Sequence, residues 1–102
     1  MIPILGALLA GTPTMPAPTF DGITIDGFSF KVNWINTAPT AYTRLYYTGP
    51  GMPTKTVAET AGPGVETSAT NFVHGGGTYN FWIEHYKGSR IGTQAGPMIV
   101  VT

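Results

Sequence analysis

Residues 77–86 read Gly-Thr-Tyr-Asn-Phe-Trp-Ile-Glu-His-Tyr, and this alternation constrains the fold more than any other stretch. Side chains of an extended strand point to opposite faces in turn. Tyr79, Phe81 and Ile83 therefore share one side, and Asn80, Trp82, Glu84 and Tyr86 share the other. The first side reads as core. The second carries two large aromatic rings that a solitary domain has little reason to expose, which marks it as a contact surface.

The same period recurs along the chain, broken at short intervals by turn residues. Strands are expected over residues 20–25, 28–34, 41–48, 55–59, 66–72, 79–86 and 98–101. Asp26-Gly27 reads as a two-residue hairpin turn, since glycine adopts positive φ without steric cost. Beyond it Phe28, Phe30, Val32 and Trp34 form the most regular apolar stripe. In the third strand Thr43, Leu45 and Tyr47 alternate with Tyr42, Arg44 and Tyr46. The strand over 55–59 is short and reads as an edge, and the last begins after Pro97, where a missing amide is tolerated. With sixteen Thr, fourteen Gly and nine Pro in 102 residues, long helices are excluded. One all-β domain with one core is what this length accommodates.

Composition removes several functions. The five basic residues, Lys31, Arg44, Lys55, Lys87 and Arg90, are scattered and the net charge is zero, so no nucleic-acid footprint exists. Without cysteine there is neither a disulfide framework nor a thiol nucleophile. His74 and His85 lack the spacing of a metal site. Ser29, Ser68 and Ser89 lie outside any nucleophile elbow, and turn or surface positions account for Asp21, Asp26, Glu59, Glu66 and Glu84. Catalytic residues, cofactors and metals are all expected to be absent. Only about 10% of the residues are charged, against roughly 25% in an average soluble protein, which suits a surface packed against others.

Residues 1–11 are apolar and precede a Pro-rich run, which divides the chain into an arm and spacer over 1–18 and a β-domain over 19–102. The apolar run is too short and lacks the basic flank of a secretory leader. As a helix it would reach about 16 Å, half a bilayer's hydrocarbon core, so no membrane span is expected. The Pro-rich run reads as an extended spacer that carries the arm away from the fold. Ile2, Ile4, Leu5, Leu8 and Leu9 are the arm's candidate contact residues, either on a partner or on the arm's own domain.

The layout resembles the fibronectin type III domain, an immunoglobulin-like β-sandwich, over about residues 16–102. In that family a tryptophan on the second strand packs in the core, a role that Trp34 fits. A tyrosine early in the sixth strand follows an apolar residue and a Gly-rich turn. Phe72 or Val73, then His-Gly-Gly-Gly-Thr-Tyr79, fit that pattern, with a Gly triplet in place of the family's Leu-x-Pro-Gly-x-x-Tyr turn. Arg44-Leu45-Tyr46-Tyr47 looks like the family's third strand. The Arg-Gly-Asp tripeptide of some members is missing, and Lys87-Gly88-Ser89-Arg90 occupies its loop.

The resemblance implies a seven-stranded sandwich whose third and sixth strands are neighbours, gathering Tyr42, Arg44, Tyr46, Trp82 and Tyr86 on one outward face. These are residue types that dominate interface energetics, and ordinary cross-strand aromatic pairing on a solvated sheet is the alternative reading of the same face. The expected function is that of a structural accessory protein, held to a larger assembly by the arm and this face. A chain opening at Met1 without leader or anchor leads to a phage virion as the assembly, with the protein as capsid decoration or tail accessory. Its partners would be other protein subunits, a major capsid or tail protein or a second copy. Extracellular or cell-surface placement is the alternative location, and carbohydrate or host-surface recognition by the exposed aromatics the alternative function.

Overall fold

The computed structural model describes residues 15–71 and 75–102. Seven strands run in chain order: β1 (Thr19–Asp26), β2 (Ser29–Ile35), β3 (Tyr42–Gly49), β4 (Met52–Ala61), β5 (Thr67–Asn71), β6 (Thr78–Lys87) and β7 (Arg90–Val101). They form two antiparallel sheets, one of three strands in the order β1-β2-β5 and one of four in the order β4-β3-β6-β7. The protein is an all-β sandwich.

The alternation seen in the sequence decides which faces meet. Phe30, Val32 and Trp34 from β2 pack against Leu45 and Tyr47 from β3 and Tyr79, Phe81 and Ile83 from β6, all buried. Phe30 joins the sheets, its ring edge-on to Tyr79 at 4.7 Å and to Phe81 at 5.0 Å between centroids. Burial of each such side chain contributes about 1.5–3 kcal/mol. The Trp34 indole N–H is satisfied at 3.1 Å by Asn36 Oδ1, as a buried indole requires.

Four expectations change. The first hairpin turns at Gly27 and Phe28, because Asp26 pairs directly with Ser29. Phe28 thus leaves the apolar stripe and stands 81% exposed at the hairpin tip. Next, β4 is ten residues long, starting as soon as Pro50 and Gly51 have reversed the chain, with Gly51 at φ 71°. It is indeed an edge strand. The last strand starts at Arg90 and runs for twelve residues, directly out of the Gly88-Ser89 turn. Pro97 lies inside it, which the outer edge of β7 permits.

The fourth concerns residues 15–18, which lie on the sandwich and lead nowhere away from it. The Met15 carbonyl accepts the Thr93 amide at 3.0 Å, and the Pro16 and Ala17 carbonyls lie 3.0 Å from the Thr37 hydroxyl. Pro18 is fully buried. At Gly92 a Cβ would come within 2.7 Å of the Met15 carbonyl oxygen, so only glycine lets this segment approach β7.

Candidate functional site: the outer face of the four-stranded sheet

Residues paired across strands share a face, and the ladders lay out the outer surface in rows. Tyr42 pairs with Tyr86 and Tyr86 with Ile91; Arg44 pairs with Glu84 and Glu84 with Gln94; Val57 pairs with Tyr46 and Tyr46 with Trp82. Tyr42, Arg44, Tyr46, Trp82 and Tyr86 are thereby brought together on one face. Ile2, Ile4, Leu5, Leu8 and Leu9 lie outside the described residues, as do Phe72, Val73 and His74.

Glu84 organises this face, contrary to the expectation of a surface carboxylate: it is 5% exposed. Its Oε2 accepts the Tyr46 hydroxyl at 2.7 Å and Arg44 NH1 at 3.3 Å, and its Oε1 accepts Gln94 Nε2 at 3.2 Å. Arg44 also donates to the Tyr46 oxygen at 3.1 Å. That bond raises the guanidinium pKa above its ordinary value, while burial pushes the Tyr46 phenol up. Lys55 reaches over from β4 to donate to Gln94 Oε1 at 2.6 Å.

Both cations also lie over aromatic rings. The Arg44 guanidinium carbon is 4.1 Å from the Tyr86 centroid and the Lys55 ammonium 4.2 Å from that of Trp82, within the range of cation–π attraction. Tyr42 and Tyr86 rings lie 5.5 Å apart. Around this network Tyr42, Val57, Ile91 and Ile99 are exposed apolar area on the same face. The result is a surface of exposed apolar side chains around a hydrogen-bonded polar centre. Gln94 and Ile91 escaped the sequence reading because β7 starts earlier than its composition suggests, and Lys55, though inside an expected strand, because its reach to Gln94 and Trp82 is not written locally.

His85 lies on the opposite side of β6, completely buried. Its Nε2 accepts the Thr37 amide at 3.1 Å, and its Nδ1 is 3.0 Å from the Thr43 hydroxyl and 3.3 Å from the Tyr42 carbonyl. A nitrogen facing an N–H carries no proton, so the ring is the neutral Nδ1–H tautomer. Burial holds its pKa below the ordinary histidine value, opposed in part by the bond to the Tyr42 carbonyl. Its parity with Tyr79, Phe81 and Ile83 was the available signal.

Among the described residues no cluster of three or more His, Cys, Asp or Glu could hold a metal ion, and no helix is long and apolar enough to cross a membrane. With its oxygens taken by three donors, Glu84 is a structural acceptor.

No protein-family model matches the chain, and no curated protein matches it. Among solved structures it is similar to a β-1,2-glucanase from Parabacteroides distasonis, with a TM-score of 0.72 and 13% identity. The match covers 88% of this chain and 13% of that one. The two share a fold. At this identity the likeness carries no chemistry from one chain to the other, and the present chain spans only a small part of the enzyme's length.

Proposed function

We propose that this chain is a fibronectin type III-like interaction module, a structural accessory protein that binds a larger protein assembly through its N-terminal segment and the outer face of the four-stranded sheet. The family assignment is supported by a three-plus-four strand arrangement, by Trp34 in the core, and by the Tyr79 hydroxyl donating to the Gly75 carbonyl at 2.5 Å. A tyrosine tied to backbone a few residues upstream, where the sixth strand begins, is a mark of immunoglobulin-like sandwiches.

One observation carries the functional reading. Met15, where residues 1–14 join the described fold, is bonded to Thr93, two residues from Ile91. The N-terminal stretch therefore joins the fold beside β7, close in sequence to Ile91 of the Tyr42, Tyr86 and Ile91 row, which supports a single partner surface covering both. Burying this area contributes about 25 cal/mol per Å² before ordering costs are subtracted. A protein partner is favoured over a sugar because a cation already occupies one side of the Trp82 and Tyr86 rings. A virion, with a capsid or tail protein as the partner subunit, is the assembly we propose.

Co-sedimentation of the native protein with its assembly is the test. Removing residues 1–14, or changing Tyr42 and Ile91 together to serine, is expected to release the protein into the supernatant. Undiminished co-sedimentation of both variants would refute the reading. Binding of the isolated domain to a glycan array, lost with Trp82→Ala, would replace it with carbohydrate recognition.

A further inference from the structure

The buried histidine has no part in the outer face, yet it sits at the start of a continuous chain of contacts. From His85 Nε2 the chain passes to the Thr37 amide, at 3.1 Å. It continues from the Thr37 hydroxyl to the carbonyls of Pro16 and Ala17, both at 3.0 Å. One residue further back, Met15 is bonded to Thr93 on β7. The segment over 15–18 thus hangs on Thr37, whose amide is held by one imidazole nitrogen, within a loop that Glu66 and Lys87 also hold at Asn36 and Thr40.

We infer that His85 is a proton-operated latch: protonation of Nε2 expels the Thr37 amide, and residues 15–18 lose their hold on the sheet together with the loop. The imidazolium has two N–H donors and no acceptor. Its new N–H would point at the Thr37 N–H, replacing an attraction by a repulsion at a ring that is itself buried. The proton comes from solvent as the pH falls, and no bond other than N–H is made or broken.

Among the described residues, the hydrogen-bond partners of the imidazole are Thr37, Thr43 and the Tyr42 carbonyl, and none is a charged side chain. Around the histidine the ionisable groups are Tyr42 and Arg44 on β3, Glu84, Tyr86 and Lys87 on β6, Arg90 on β7, and Glu66 before β5. Arg44, Glu84 and Tyr86 engage one another across the outer face. Glu66 accepts the Asn36 amide at 2.7 Å, and Lys87 donates to Thr40 at 3.1 Å. Residues 15–18 and the loop over 36–40 contain no ionisable side chain. Glu66 holds the neighbouring amide of Asn36, whereas the Thr37 amide rests on the imidazole, so acid reaches the Thr37 contact through His85. The latch acts on the direction in which the N-terminal segment leaves the fold, whatever that segment binds.

Nuclear magnetic resonance of the full chain tests it. Ring ¹⁵N shifts at neutral pH are expected to report the Nδ1–H tautomer. As His85 titrates, hydrogen-exchange protection of the Thr37 and Thr93 amides, referred to an unstructured peptide at each pH, should fall together. The fall is about tenfold for each pKa unit separating the latched and released states. Protection of the β3 and β6 amides should hold. In Thr37→Val, which keeps the amide but not the hydroxyl, Thr93 protection should no longer follow the His85 titration while Thr37 protection still does. The latch is refuted if Thr93 in the native chain ignores the titration of His85, if the β3 and β6 amides are lost at the same pH, or if Thr93 still tracks the histidine in Thr37→Val.

Discussion

A carboxylate taken out of water is unfavourable unless its oxygens are filled, and at Glu84 three side-chain donors fill them. Glu84→Ala leaves those donors without their acceptor, and we expect a loss of about 2–4 kcal/mol in urea denaturation. Arg44→Ala should cost about 1 kcal/mol or less, since this side chain is 25% exposed and its ion pair is screened. Equal losses for the two variants would show that Glu84 is not the centre of the network. Tyr79 is held differently. Its hydroxyl ties β6 to the Gly75 carbonyl, and its ring lies so close to Gly49 that a Cβ there would come within 2.6 Å. Tyr79→Phe should lower stability by about 1 kcal/mol through the lost hydrogen bond. Gly49→Ala should lower it by about 1–3 kcal/mol through overpacking, both read from denaturant midpoints at unchanged slope.

Strand β2 shows what periodicity determines and what it leaves open. Alternation assigned Phe30, Val32 and Trp34 correctly to the core, but it cannot say where pairing stops, and the direct Asp26 to Ser29 pair puts Phe28 in the turn. Phe30→Ala should therefore cost about 3–5 kcal/mol and Phe28→Ala less than about 1 kcal/mol; comparable costs at both positions would restore Phe28 to the stripe. For β6 the sequence sufficed, because both of its faces are written in side-chain size. Gly92, Gly96 and Pro97 are poor strand formers, so β7 could not be read locally. It exists because β6 offers it a ladder from Lys87 to Thr78. The strands expected at residues 20–25, 28–34, 41–48, 66–72 and 79–86 lie within about two residues of those observed, whereas β4 and β7 were read too short. The five aromatic and basic residues of the outer face could be grouped from strand parity and adjacency. The burial of Glu84 could not, since it depends on Tyr46 and Gln94 from strands 38 and 10 residues away in the chain.

For the molecule as a whole, an uncharged histidine inside the sandwich couples folding to pH. Burial keeps His85 from taking a proton at its ordinary value of 6.5, whereas the unfolded chain takes it there. Below that pH the unfolded state binds more protons than the folded one, so stability falls as the solution becomes more acid. The His85 contribution is complete above about pH 6.5 and declines below it, levelling off once the folded pKa is passed. For one proton the slope cannot exceed about 1.4 kcal/mol per pH unit. Carboxylates titrate nearer pH 4, so the interval from pH 6.5 to 5 isolates the imidazole from them. His85→Gln cannot take up a proton in this range, and its amide can still meet the Thr37 amide or the Tyr42 carbonyl. We expect it to be less stable than the native chain at pH 7.5, and the difference to shrink steadily between pH 6.5 and 5 as the native chain alone loses the histidine's share. Denaturation curves across that interval decide it: a native-minus-variant difference that stays constant would mean that His85 takes its proton equally in the folded and unfolded chain, and one that grows toward acid that folding favours its charged form.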